Sequence, residues 1–147
     1  MGDCFHRVEE NPQEEFQRRH GHHGAMENLI AHLFLARELA HRAHLKPSTG
    51  PGSDAEHRAL AAFYESIIDL ADEILECFQG RFEVLLTIPV LTADPEKPIR
   101  EVLKQQREWI DSQRYIACPR EETAIQNLID EAVAAYYKVN FRLFFLK

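Results

Sequence analysis

Residues 40–80 read A-H-R-A-H-L-K-P-S-T-G-P-G-S-D-A-E-H-R-A-L-A-A-F-Y-E-S-I-I-D-L-A-D-E-I-L-E-C-F-Q-G. One helical pattern ends here, a Pro/Gly/Ser loop turns the chain, and a second, longer helical pattern begins. Pro47 stops the first pattern because proline offers no N–H and its ring clashes with the preceding turn. Pro47 to Gly52 is turn-forming throughout. Ser53 and Glu56 have the spacing of a capping box, which predicts a helix from about residue 54. Leu60, Phe63, Ile67, Leu70, Ala71, Ile74 and Phe78 recur at intervals of three and four, the signature of one apolar helix face. Gly80 is placed to act as its C′ residue. The helix so bounded has about 26 residues and is about 39 Å long at 1.5 Å per residue.

Toward the N-terminus, Leu29, Leu33, Ala36, Ala40 and Ala43 fall on one stripe, so a first helix is expected from Ala25 to Pro47. Its alanines leave room for close approach by a neighbour. Met1 to Gly24 is polar, contains Pro12 and mixes Glu9, Glu10, Glu14 and Glu15 with Arg7, Arg18 and Arg19. This reads as a loose arm, with His20, His22 and His23 solvated and lacking fixed geometry. Beyond Gly80, Arg81 to Lys97 is too apolar for a free loop and too interrupted by Pro89 and Pro95 for a long helix. It is expected to cover the domain, or a subunit contact, as a short helix or extended segment. A third helix follows from about Pro98 to Tyr115, with Ile99, Leu103, Gln106 and Ile110 inward and Trp109 beside them. Pro119 opens a fourth, with Glu121 and Glu122 in its first turn and Ile125, Leu128, Ile129, Ala132, Tyr136, Val139 and Leu143 on its buried stripe. The apolar ending F-R-L-F-F-L-K suggests subunit contact. The expectation is an all-α four-helix bundle over residues 25–147, behind an arm of residues 1–24, with a long apolar crossover between helices 2 and 3.

Composition narrows the function. At 147 residues and 45% hydrophobic content the chain suits one domain with a substantial core. A formal charge of −7 argues against a protein held to nucleic acid by phosphate neutralisation. Cys4, Cys77 and Cys118 are odd in number and form no CxxC pair, as expected of thiols in a reducing cytoplasm. Neither a signal-peptide core nor an uncharged run of membrane-spanning length is present, so secretion and membrane insertion are not expected.

One constellation is chemically suggestive. His41 and His44 end the first helical pattern, His57 begins the second, and Asp72 and Glu76 follow at i and i+4. Imidazoles and carboxylates together suit iron, manganese or zinc, and bundles build such sites from facing helices. Fifteen positions separate His57 from Asp72, about 22 Å along a helix, so one ion cannot be shared by both within a chain. Either these residues serve unrelated environments or a second, reversed copy brings His44 and His57 beside its own Asp72 and Glu76, in duplicate about a two-fold axis.

The pattern His44, His57, Phe63-Tyr64, Asp72, Glu76 and Gln79-Gly80 resembles the Dps branch of the ferritin-like family. The resemblance implies a ferritin-like bundle whose inter-subunit site oxidises ferrous iron with peroxide or oxygen. His44 and His57 would be ligands from one subunit, and Asp72 and Glu76 from its partner. It further implies a homodimer or larger homo-oligomer. The chain departs from that pattern at Ala61, where the family has an acidic residue, and at Leu45, where it has an aromatic. The longer His44–His57 connection leaves His41 as an alternative ligand. No Lys-rich tail matches the DNA-binding arms of some Dps proteins. The sequence is also similar to small ferritin-like proteins of tailed phages in its H-R-A-H-L, H-R-A-L and D-L-A-D segments. The competing class is a non-enzymatic ferritin-like interaction or structural protein, with a degenerate or structural-metal site, that uses the apolar Phe82–Leu91 segment and the C-terminal aromatics to assemble or to bind a host protein; Ala61 favours it.

Overall fold

The computed structural model describes the backbone of residues 12–46 and 50–146, with side chains from His23 onward in that range. Four helices account for most of it: α1 (Pro12–Leu45), α2 (Ser53–Phe82), α3 (Ile99–Ala117) and α4 (Thr123–Phe145). No strand occurs among the described residues.

The boundaries differ from the expectations in ways that local chemistry explains. The first helix starts at Pro12 rather than Ala25. Proline suits a first helical position, where its missing N–H is no loss, and the acids that follow suit the positive helix end. His23 therefore belongs to a helix, buried with its ring edge-on to Phe78 at 5.1 Å, instead of to a solvated arm. The side chains of His20 and His22, and residues 1–11, lie outside the described residues. The capping box does not form: Gly52 is the N-cap, in a left-handed conformation, and no side chain caps the helix. Ser53 is already helical there. Gly80 lies inside α2, which runs to Phe82, and Glu83 takes the left-handed turn at φ 54°. Gln79 organises that turn, its backbone carbonyl accepting from the Val84 N–H at 3.2 Å and its side-chain oxygen from the Leu86 N–H at 2.9 Å. Helix α4 starts at Thr123, with Glu122 as its N-cap, so Pro119 and Glu121 precede it.

The apolar stripes meet in one core. Leu29, Leu33, Ala36, Leu60, Phe63, Ile67, Ile74, Phe78, Leu103, Ile110, Ile125, Ile129 and Tyr136 are all buried. Helix α1 packs on α2 and α3, and α4 packs on α2 and α3; the diagonal pairs do not touch. Neighbours run antiparallel. Arg81 near the end of α2 pairs with Glu122 at the start of α4 at 2.8 Å, and Gln106 midway along α3 reaches the His32 carbonyl of α1. This is a four-helix bundle in which α2 and α3 lie diagonally opposite and parallel.

That arrangement requires the chain to travel the length of the bundle between α2 and α3. Residues 84–94 do so without helix, along α1. The Thr87 N–H donates to Glu27 at 2.6 Å, and Glu96 pairs with Lys46 at 2.8 Å. Val84, Leu86 and Ile88 pack on the core, whereas Leu85 and Val90 stand almost fully in solvent.

Candidate functional site

The turn between α1 and α2 brings two of the singled-out histidines together. His44 lies in the last turn of α1, where backbone carbonyls have no helical partner. His57 lies in the second turn of α2. Their rings stack at 3.7 Å between centroids and 19° between planes. His44 Nδ1 lies 2.8 Å from the His57 carbonyl oxygen, and His57 Nδ1 lies 3.0 Å from the His44 carbonyl oxygen. A carbonyl only accepts, so each Nδ1 must carry the proton and donate. In the neutral form both Nε2 atoms therefore keep their lone pairs for another partner. The arrangement works as a clamp: it fixes the tautomer and orientation of each ring and satisfies an orphan carbonyl at the end of α1.

The row of rings continues inward. Tyr64 meets the His44 ring at 5.4 Å, edge to face, and the His41 ring at 4.8 Å. His41 and His44 are 6.5 Å apart. Beside the clamp lies a cleft of about 240 Å³, lined by His44, His57, Lys46, Ser53, Asp54 and Glu56 together with Ala43. Asp54 is paired with Arg58 at 3.1 Å.

Asp72 and Glu76 are elsewhere. Both are exposed on α2, on the side facing away from the stripe of Ile67, Ala71, Ile74 and Phe78. Unbroken helix separates them from His57, so the separation of about 22 Å stands. Among the described residues, no three His, Cys, Asp or Glu side chains gather to hold a metal ion within one chain. Of the singled-out residues, His44 and His57 are brought into contact, with His41 nearby, and Asp72 and Glu76 are not.

Other polar groups lie buried where no motif pointed to them. Arg114, near the end of α3, donates from Nε to Gln126 Oε1 at 2.9 Å, and from Nη2 to the Gln126 carbonyl at 2.9 Å and to Asp130 at 2.6 Å. The Gln126 amide returns bonds to the carbonyls of Arg114 and Cys118. The i, i+4 spacing of Gln126 and Asp130 was the available signal. This cluster staples the α3–α4 turn. Next to it burial pushes the Cys118 thiol up to about 11, with the Glu122 carboxylate adding to the shift and Arg81 opposing it. Gln106, read as inward, accepts from the Tyr136 hydroxyl at 3.1 Å. Trp109 packs against the His32 ring at 3.8 Å.

No helix among the described residues is long and apolar enough to cross a membrane. No curated protein and no solved structure matches the chain. Residues 52–143 match the model of a family, a span that takes in α2, α3 and most of α4 and includes His57, Asp72 and Glu76 but not His41 or His44. The chain therefore belongs to that family, which is described as a family of unknown function (DUF5856).

Proposed function

We propose that the protein is a ferritin-like bundle of the Dps type that binds a divalent transition metal, iron foremost, between two copies of the chain. The observation that carries this reading is the His44–His57 clamp. Two imidazoles held by their Nδ1 atoms on backbone carbonyls present two oriented Nε2 donors, as second-shell bonding does at established metal sites. Asp72 and Glu76 of a second copy would complete the set. An antiparallel pair of α2 helices, with its two-fold axis at the level of Glu65 and on the side of Asp72 and Glu76, sets each copy's His57 level with the other's acidic pair. The neighbouring Glu65, Asp69 and Glu73 crowd the same face, so bound cations would relieve repulsion and tighten the pair.

The same reading extends to oxidation of ferrous iron by peroxide or oxygen. Ala61 offers no ligand, leaving coordination positions open to an oxidant. The test is complementation. Equilibrium dialysis against manganese, or against ferrous iron under argon, should load one ion per chain in the wild type and none in His57→Ala or Asp72→Ala. Mixing the two variants in equal amounts should restore about a quarter of the sites, since half of the pairs are mixed and one of the two sites in a mixed pair has all its ligands. A wild type that binds nothing, or a mixture that stays empty while its chains still pair, sinks the proposal. Ala61 also favours a second reading, a non-enzymatic assembly protein with a structural zinc or no metal at this place. Stoichiometric binding without ferrous oxidation would select it.

A further inference from the structure

Helix α4 bears a groove and, beside it, side chains of a size to fill one. The groove, about 860 Å³, runs between α2 and α4 over the alanines at 59, 62, 134 and 135. At its edge Tyr137, Phe141 and Phe145 are 53%, 55% and 65% exposed. Glu131, Lys138 and Arg142 line it as well, and none of the three has an ion-pair partner among the described residues. These residues share one side of α4: Glu131, Lys138, Arg142 and Phe145 are spaced by three, four or seven positions.

We propose that this face binds the same face of a second copy, with the two α4 helices antiparallel. A two-fold axis on the groove side of α4, midway between positions 136 and 137 along the helix, places Glu131 of each copy opposite Arg142 of the other. It also lays each Phe141 over the Ala132–Ala135 turn of its counterpart. The face is thus complementary to itself in charge and in shape, which an isologous contact requires. Phe144 lies on the other side of α4, against Arg100 of α3. With Leu146, also exposed, the apolar side chains on the groove side offer about 400 Å² per copy at roughly 200 Å² for a whole aromatic. The groove walls bring this toward the low end of specific interfaces, roughly 600 Å² per partner. Glu131 in the groove disfavours the other occupant that aromatic and basic residues suggest, an anionic bilayer. The proposal does not rest on the metal reading, because Asp72 and Glu76 face away from this side of α2. Two different two-fold faces on one chain would carry assembly past a dimer.

Sedimentation equilibrium of the full chain in chelator, which removes any metal-dependent pairing, tests it. The wild type should form a dimer. Glu131→Arg and Arg142→Glu should each weaken it roughly tenfold or more by setting like charges opposite each other, and the double reversal should restore it. Phe141→Ser, at an exposed position, should also weaken it while leaving the helical circular dichroism unchanged. A monomeric wild type, single reversals that dimerise as well as the wild type, or a double reversal that fails to recover would each overturn the proposal. So would a monomer that pellets with phosphatidylcholine/phosphatidylserine vesicles through Phe141 and Arg142.

Discussion

The clamp at the α1–α2 turn makes a prediction in which structure and metal binding separate. His57 donates from Nδ1 to the His44 carbonyl and stacks on the His44 ring. The pair stands at the surface, so the low ends of the usual ranges apply: about 0.5–1 kcal/mol for the hydrogen bond and about 0.5 kcal/mol for the ring contact. His57→Ala removes both and should cost about 1–1.5 kcal/mol, which lowers the melting temperature by about 3–6 °C for a chain of this size. His57→Asn keeps a side-chain N–H near the position of Nδ1 but has nothing at Nε2. It should retain the bond to the His44 carbonyl, cost about 0.5 kcal/mol, and still abolish metal binding. His57→Gln reaches toward the Nε2 position without the Nδ1 donor, so its stability should resemble that of alanine. Thermal unfolding followed by circular dichroism gives the stabilities, and dialysis gives the metal. If asparagine is as destabilising as alanine, or alanine costs nothing, the tautomer assignment and the clamp are wrong. If asparagine binds metal like the wild type, Nε2 is not a ligand.

Two further outcomes follow from the α3–α4 turn. Arg114→Ala strands the buried Gln126 side-chain oxygen and removes three donated bonds, so urea unfolding should show a loss of about 3 kcal/mol. Asp130→Ala should cost about 1 kcal/mol or less, because that carboxylate is largely exposed. The Cys118 thiol, pushed up to about 11, stays protonated through neutral pH and gains thiolate only as pH rises toward that value. Iodoacetamide at pH 8, read by mass spectrometry of peptides, should therefore modify the half-buried Cys77 well before Cys118. Equal rates in the folded protein would contradict both the burial and the shift.

The four helices and most of their inward faces were legible in the chain. Leu29 to Ala40, Leu60 to Phe78, Leu103 to Ile110 and Ile125 to Val139 repeat at helical spacing, and periodicity is a local property that a chain displays before it folds. Pro47 and the glycines near it marked the turn that joins α1 to α2 for the same reason. Helix ends were less legible. Gly80 has terminus chemistry yet lies within α2, because Phe78 and Phe82 on either side of it pack on the core; Ser53 opens the helix without capping it, Gly52 taking the N-cap place. His23 looked solvated among glycines and is buried against Phe78, since only the packing of α1 on α2 could show what faced it.

The candidate site divides along the same line. That His44 and His57 flank one Pro/Gly-rich connection was readable, but whether His44 or His41 would meet His57 was not. That each grips the other's carbonyl, leaving both Nε2 atoms open, depends on the distance and rotation between α1 and α2, which no spacing along the chain encodes. Asp72 and Glu76 could be placed one turn apart from sequence alone. Only the burial of the opposite face of α2, which the packing of the bundle decides, turned them outward and away from the histidine pair.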